Sequence, residues 1–253
     1  MDGKVTLPAL QQMKQDGRKI VGVVAYDYQM AQIVDRAGVD IVSVGDSVGV
    51  TLWGHRSGLE VTLDQMVLVC QAVRRGVTRA LVSCDVPFGP LQQGTDAAVQ
   101  AAIRMVKEGG ADLVKVDAGS SSADAVRAIT RAGIPVWAQF GIHPAAPITD
   151  RLVREANQLE EAGASLLDFR YSGPVAGPAV VRTVNIPVIG GLGGGPWLDG
   201  RVRAVFAAIG YLAAAIDDTT DRYANVAEIA LTAIKAFGDD VRAGLQIRGT
   251  KAR

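Results

Sequence analysis

Three segments of the chain repeat one pattern, in which a helix ends, a glycine follows and a short apolar run begins. These segments are residues 35–40, 107–112 and 160–164. A glycine just beyond a periodic stretch is typical of a helix C-terminus, and a short apolar run is typical of a buried strand. The repeated order of helix and strand predicts the α/β class, in which parallel strands alternate with helices.

Strand-like runs begin near residues 20, 40, 80, 113, 135, 165 and 187, and amphipathic stretches lie between them. Among the clearest predicted helices are residues 62–75, 96–107, 122–131 and 150–161, each with a glycine just beyond its end. Seven such units and a less clear eighth, over residues 202–209, predict a (β/α)8 TIM barrel. A doubly wound sheet is the alternative, although no Gly-x-Gly-x-x-Gly sequence follows the first predicted strand.

The composition is that of a balanced globular chain. It has 253 residues, 49% of them hydrophobic, so we predict a single barrel domain over residues 1–253. Lys and Arg equal Asp and Glu at 26 each, which makes nucleic acid and anionic membranes poor candidates as partners. There is no membrane-spanning run, no signal-peptide core and no disulfide framework. We therefore expect a cytoplasmic protein that acts on a small molecule.

Charged residues close three of the predicted strands. Asp46 and Asp85 follow the second and third apolar runs, and Lys115 and Asp117 end the fourth. Because side chains alternate along a strand, Lys115 and Asp117 point to the same face. The carboxyl ends of barrel strands meet at one mouth, so the three carboxylates predict a metal site there. The alternatives are that Asp46 and Asp85 only cap helices, and that Lys115 only neutralises Asp117.

Seven stretches of the chain resemble the ketopantoate hydroxymethyltransferase family. They are Ala-Tyr-Asp-Tyr at 25–28, Val-Gly-Asp-Ser at 44–47, Val-Thr-Leu at 61–63, Ala-Val-Arg-Arg-Gly at 72–76, Asp-Val-Pro-Phe at 85–88, Gly-Gly-Ala at 109–111 followed by Val-Lys at 114–115, and Ile-Pro-Val-Ile-Gly at 186–190. The resemblance runs in order from about residue 10 to about residue 201 and weakens beyond. It implies a barrel of the phosphoenolpyruvate mutase and isocitrate lyase type, a magnesium ion and a homo-oligomer.

The resemblance also implies an activity. Enzymes of the family transfer a hydroxymethyl group from methylenetetrahydrofolate to 3-methyl-2-oxobutanoate, a step of pantothenate biosynthesis. By position, the metal-side carboxylates are Asp46 and Asp85, and Ser47 and Lys115 hold the substrate carboxylate and carbonyl. A magnesium ion suits such a site, since it prefers oxygen ligands and a 2-oxo acid offers two more.

Other positions of the predicted substrate site depart from the family or have a second interpretation. Asp117 stands where the family has glutamate, and Gln139 stands where a histidine is usual, with His143 four residues further on. Tyr26 either lines the mouth or only packs, and Asp27 either caps a helix or belongs to the site.

The main departure is Arg170, at the end of the sixth predicted strand, where the family has the glutamate that removes the substrate proton. Arginine stays protonated at any usable pH, so it cannot be that base. Three interpretations stay open. Arg170 pairs with Asp168 as structure, it binds a second carboxylate of a larger substrate, or the local alignment shifts and places Asp168 nearer the base position.

Three functional hypotheses follow. The first is the family reaction, with Asp168, Asp117 or His143 as the proton acceptor. The second is a sibling aldol, lyase or decarboxylation reaction on a different, possibly dicarboxylic 2-oxo acid, which forms the enolate without removing a carbon-bound proton. The third is a non-catalytic ligand-binding barrel.

Overall fold

A computed structural model describes residues 3–117, 123–141 and 149–249. Eight strands form a closed barrel in sequence order, and each pairs in parallel with the next. They are β1 (Ile20–Val24), β2 (Ile41–Val44), β3 (Leu81–Asp85), β4 (Leu113–Asp117), β5 (Val136–Gly141), β6 (Leu166–Arg170), β7 (Val188–Gly190) and β8 (Gly200–Ala204). The predicted (β/α)8 barrel is confirmed.

The helices of the described residues connect and follow these strands. They are α1 (Leu7–Gln15), α2 (Tyr28–Arg36), α3 (Val48–Leu52), α4 (Leu63–Gly76), α5 (Phe88–Gln92), α6 (Thr95–Lys107), α7 (Ala123–Arg131), α8 (Thr149–Glu161), α9 (Ala176–Thr183), α10 (Val205–Ala208) and α11 (Val226–Arg242), with 3-10 turns at Gly58–Glu60 and Ala213–Ile216. The four clearest predicted helices match α4, α6, α7 and α8 to within one residue at each end. Polar residues cap the first turns of several helices, because their side-chain oxygens accept hydrogen bonds from backbone N–H groups that have no partner within the helix.

Two caps bear on the predicted site. The Asp27 side chain accepts a hydrogen bond from the Met30 N–H at 2.8 Å and so caps α2. Thr62 and Gln65 form a reciprocal capping box at the start of α4, with bonds of 3.2 and 2.9 Å. Asp27 therefore has a structural role, whereas the other strand-end aspartates do not cap the helices that follow them.

The eighth unit differs from its prediction over residues 202–209. The strand begins two residues earlier, at Gly200, and the second half of the predicted run is α10. The exposed side chains of Arg201 and Arg203 alternate with buried positions in β8, so apolar content alone does not identify the strand.

The chain forms two compact units, one up to Arg203 and one from Ala204 onward. In the second unit, the Asn225 side chain accepts from the Glu228 N–H at 3.3 Å and caps α11. Arg222 forms an ion pair with Asp218 in the same unit. The single domain over residues 1–253 stays a prediction. Within the described ranges, no helix combines the length and apolarity needed to cross a bilayer.

The amino-terminal end of the barrel is filled by one apolar cluster, which we call the floor. Its members are Val5, Leu10, Met13, Ile20, Ile41, Leu81, Leu113, Trp137, Leu166, Ile189 and Val202. Leu10 and Met13 come from α1, which lies across this end of the barrel. Lys14 holds α1 in place through an ion pair of 2.9 Å with Asp199. The floor excludes polar groups, so polar inward positions occur towards the carboxyl ends of the strands.

Candidate active site

The inward positions of β4 and β6 change from apolar to charged along the strand. Leu113 belongs to the floor, and Lys115 and Asp117 follow on the same face of β4. Leu166 likewise belongs to the floor, and Asp168 and Arg170 follow on β6. These four charged side chains, with Asp46 and Asp85, form what we call the mouth.

The inner ion pair of the mouth joins β4 to β6. The Lys115 Nζ lies 2.9 Å from Asp168 Oδ2 and 4.0 Å from Asp85 Oδ1. The side chains of Lys115 and Asp168 are only 12% and 3% exposed. Burial favours the neutral amine, but the nearby carboxylates outweigh burial and raise the pKa of Lys115, so it stays an ammonium. The interpretation that Lys115 only neutralises Asp117 is therefore wrong.

The outer ion pair lies one layer nearer the strand ends. The Arg170 Nη2 is 3.2 Å from Asp117 Oδ1, with side-chain exposures of 27% and 51%. The interpretation that Arg170 pairs with Asp168 is wrong, because Asp168 is bonded to Lys115. Both ion pairs thus join β4 to β6 across the barrel interior, past the intervening strand β5.

Asp46 and Asp85 lie next to one another at the ends of β2 and β3. The Asp46 N–H donates to Asp85 Oδ2 at 3.4 Å. Asp85 Oδ1 is buried and has no hydrogen-bond partner among the described residues. Burial, opposed by the Lys115 ammonium and assisted by the Asp46 and Asp168 carboxylates, raises the pKa of Asp85 to about 7. The alternative that the two aspartates cap helices is wrong, since α3 and α5 have no side-chain cap.

The loop after α3 covers Asp46. A methyl group added at Gly58 would lie 2.9 Å from the Asp46 carboxylate, so a side chain at this position would displace that carboxylate. The loop is held by Glu60, whose Oε1 accepts from the N–H groups of Arg56 and Ser57 at 2.8 and 3.1 Å. The loop therefore packs closely on the Asp46 carboxylate.

A hard divalent cation suits this arrangement of oxygen atoms. Adjacent carboxylates with an unpartnered buried oxygen are stabilised by a cation, and magnesium commonly takes one or two protein carboxylates together with waters. Among the described residues, no group of three or more His, Cys, Asp or Glu side chains is close enough to hold a metal ion. Asp46 and Asp85 are therefore the protein ligands that fit, while Asp117 bonds to Arg170 instead.

Tyr26 and Ser47 form a hydroxyl pair beside Asp46. The two hydroxyl oxygens are 2.7 Å apart. Burial raises the pKa of Tyr26 to about 12, so the phenol keeps its proton. The backbone carbonyl of Ser47 accepts from the Thr51 hydroxyl at 2.9 Å. The contact with Tyr26 fixes the orientation of the Ser47 side chain.

Gln139 and His143 are the remaining residues of the predicted substrate site, and the structure describes only the first. Gln139 on β5 stands in register with Asp117 on one side and Asp168 on the other, and it is partly buried. His143 lies outside the described residues. His55, in the covering loop, has a buried Nδ1 with no partner among the described residues, and it packs on Gly49.

Two contacts of the mouth were not predicted. Lys115 Nζ lies 5.3 Å from the centre of the Trp137 ring, a cation–π contact. The Gly191 N–H, in the glycine-rich loop after β7, donates to Asp168 Oδ1 at 3.4 Å. Because side chains alternate along β5, Trp137 lies on the same face as Gln139, so the contact between Trp137 and Lys115 could have been predicted from the sequence. The second depends on loop geometry, for which the sequence has no signal.

The amino-acid sequence matches one protein family over most of its length. A sequence model of the family described as ketopantoate hydroxymethyltransferase matches residues 4–245. The 3-methyl-2-oxobutanoate hydroxymethyltransferase of Trichlorobacter lovleyi is 34% identical over 257 residues, which cover 96% of this chain and 96% of the relative. The enzyme of the same name from Moorella thermoacetica is 36% identical over 255 residues, covering 95% and 94%.

Solved structures of two other enzymes share the fold at lower identity. A 2,3-dimethylmalate lyase of the PEP mutase/isocitrate lyase superfamily has a TM-score of 0.66 at 14% identity, over 96% of this chain and 91% of the lyase. A phosphonopyruvate hydrolase, solved as a complex with oxalate and Mg²⁺, has a TM-score of 0.61 at 15% identity, over 95% and 88%. At these identities the likeness shows the fold alone.

Proposed function

The chain belongs to the ketopantoate hydroxymethyltransferase family, and we propose that it makes or breaks a carbon–carbon bond of a 2-oxo acid through an enolate, with magnesium. The observation that carries this proposal is the adjacent pair of Asp46 and Asp85, with its unpartnered buried oxygen 4.0 Å from Lys115. A magnesium ion held by Asp46 and Asp85 would supply Lewis-acid polarisation of the substrate carbonyl.

The residues around the carboxylate pair suit a bound 2-oxo acid. Ser47, oriented by Tyr26, donates a hydrogen bond to the substrate carboxylate. Lys115 is a fixed ammonium beside Asp85 and places positive charge where the carbonyl oxygen becomes an enolate oxygen. Because Asp168 already holds this ammonium in position, little reorganisation is needed when that charge develops.

Proton transfer in the family reaction needs an acceptor other than Arg170. The candidates are Asp117, which pairs with Arg170, Asp168, which pairs with Lys115, and His143, which is a candidate from the sequence. In that reaction methylenetetrahydrofolate is the one-carbon donor. The name shared by the relatives from T. lovleyi and M. thermoacetica supports 3-methyl-2-oxobutanoate as the acceptor and a hydroxymethyl group as the transferred unit. A homo-oligomer stays a prediction from the family.

A sibling reaction is the second candidate, and Arg170 is the observation that favours it. A guanidinium in the outer ion pair cannot accept a proton, but a retro-aldol or decarboxylation step forms the enolate by breaking a carbon–carbon bond. The electron pair of that bond becomes the carbon–carbon double bond of the enolate, and the carbonyl π pair moves to oxygen. The departing carbon leaves as CO2 in a decarboxylation. In a retro-aldol step it leaves as an aldehyde or ketone, and Asp117 or Asp168 accepts the hydroxyl proton. The carboxylates, Ser47 and Lys115 would keep the same roles in both reactions.

The proposal is tested by deuterium exchange at C3 of 3-methyl-2-oxobutanoate, followed by NMR in deuterated water with magnesium or with EDTA. We expect metal-dependent exchange from the native protein and its loss in Asp85→Asn. Asp27→Asn is the matched control, because Asn caps a helix as well as Asp and this residue only caps α2. Exchange that persists in Asp85→Asn would contradict the metal role. Metal-dependent binding of the 2-oxo acid without exchange would favour the sibling reaction.

A further inference from the structure

The two ion pairs of the mouth have opposite orientations. In the inner pair the cation is on β4 and the anion on β6, whereas in the outer pair Asp117 is on β4 and Arg170 on β6. The cations of the two pairs are therefore on different strands and different layers. The outer pair lies two residues further along each strand than the inner pair, which is about 6.6 Å along the strand.

The pairs also differ in how firmly they are held. Lys115 and Asp168 are nearly buried, at 12% and 3% exposure, and their contact is 2.9 Å. Arg170 and Asp117 are more exposed, at 27% and 51%, and one nitrogen meets one oxygen at 3.2 Å. A partly exposed ion pair of this kind contributes little to stability, so replacing Asp117 by another carboxylate as the partner of Arg170 costs little free energy. Arg170 can thus leave Asp117 for another carboxylate.

We propose that Arg170 binds the distal carboxylate of a dicarboxylic 2-oxo acid, an inference that rests on the proposed function for the binding of the 2-oxo group. With that group held by Lys115 and Ser47 in the inner layer, the rest of the substrate extends towards the outer layer. A separation of about 6.6 Å between layers suits a chain of four or five carbons. A guanidinium binds a carboxylate through two parallel bonds, which its present contact with Asp117 does not use.

The position of Asp117 is consistent with this exchange. Half of its side chain is exposed, so the carboxylate stays solvated when Arg170 turns to the substrate. Gln139 stands in register between Asp117 and Asp168 and can donate from its amide to the same ligand. The outer layer therefore offers a charged fork and a neutral donor, which a substrate with an aliphatic end cannot use.

The test compares two ligands that differ only at the distal end. 2-Oxoglutarate and 2-oxopentanoate have the same number of carbons, and the first has a carboxylate where the second has a methyl group. Binding of each to the full chain is measured by isothermal titration calorimetry with magnesium present and with EDTA. The variants are Arg170→Gln, Arg170→Lys and the control Arg127→Gln, which removes an exposed Arg–Asp pair on α7.

We expect native protein to bind 2-oxoglutarate about ten- to a hundredfold more tightly than 2-oxopentanoate, the range for hydrogen bonds to charged groups. Arg170→Gln removes this preference and leaves 2-oxopentanoate binding unchanged. Arg170→Lys keeps part of the preference, since lysine retains the positive charge without the planar guanidinium. If the glutamine variant does not fold, the lysine variant still tests the proposal. Arg127→Gln keeps all of it.

Equal affinities of the native protein for the two ligands would overturn the inference while leaving the proposed function standing. So would a preference for 2-oxoglutarate that survives in both Arg170 variants. Failure of the proposed function has a different signature, in which neither ligand, nor 3-methyl-2-oxobutanoate, binds in a magnesium-dependent way.

Discussion

The floor and the mouth are built from the same strands but from opposite kinds of side chain. Leu81, Leu113 and Leu166 fill the floor, and the positions four residues further along the same faces are Asp85, Asp117 and Arg170. The floor gains free energy by removing apolar area from water, at about 25 cal/mol per Å². The mouth instead concentrates charges that burial disfavours.

Under the proposed function, this difference separates stability from activity within one barrel. Substitutions in the floor alter packing far from the proposed site, so their main effect falls on unfolding. Substitutions in the mouth would remove a proposed ligand-binding group, and their effect on stability depends on whether a buried charge loses its partner. The following experiments test this separation, beginning with the largest expected change in stability.

Lys115→Met is expected to destabilise the protein most, by about 3–5 kcal/mol, because it leaves Asp168 buried without its partner. The double variant Lys115→Met with Asp168→Leu should recover much of the loss, since Asp168 is then no longer a buried charge without its partner. Urea denaturation at neutral pH measures both. A single variant as stable as the native protein would show that the inner pair is not a coupled unit.

Leu113→Ala is expected to cost about 2–5 kcal/mol of unfolding free energy, because Leu113 is fully buried in the floor. Leu68→Ala on α4 is the matched control, since Leu68 is 64% exposed and should change stability by less than about 0.5 kcal/mol. Ligand affinity of folded Leu113→Ala should match that of native protein. Weaker binding at conditions where the variant is folded would contradict the separation of floor from mouth.

Asp85 should make the metal-free protein less stable as the pH rises. Its folded-state pKa of about 7 lies above an unfolded value of about 4, so the folded state alone keeps this proton between those values. The stability contribution is complete below about pH 4 and is lost as the pH rises through 7, by up to about 4 kcal/mol. Denaturation in EDTA between pH 5 and pH 8 measures the loss, and Asp85→Asn should flatten it. Parallel curves for the two proteins would count against the raised pKa.

Arg170→Gln should have the smallest effect, a change in unfolding free energy of less than about 1 kcal/mol, because the outer pair is partly exposed. The same denaturation series measures it beside Lys115→Met. A loss as large as that of the inner pair would mean that Arg170 is structural, and the contrast between the layers would disappear.

The barrel and the strand ends could be predicted from the sequence because local signals determine them. Apolar runs, glycines beyond helix ends and alternation along β4 identify the strands and the face shared by Lys115 and Asp117. Asp46 and Asp85 end neighbouring strands of a parallel barrel, so their proximity also follows from order alone.

The partners of the charges could not be predicted from the sequence, because they depend on the stagger between strands. Alternation places Asp168 and Arg170 on one face of β6 but does not say which residue of β4 each one meets. The cover on Asp46 by Gly58 is set by loop geometry, twelve positions away in the chain. The sequence leaves the role of Asp27 open, and its hydrogen bond with the Met30 N–H shows that it caps α2.

Helix α1 has a consequence for how the chain folds. Lys14 on α1 bonds to Asp199, 185 positions away, and Gln11 reaches the Asn185 carbonyl, 174 positions away. During synthesis α1 therefore leaves the ribosome long before its anchors exist, with Leu10 and Met13 uncovered in the meantime. Contacts of such long range are slow to form, and exposed apolar surface invites aggregation. Closure of the floor is thus expected among the last events of folding, after the strands that carry the mouth have been made.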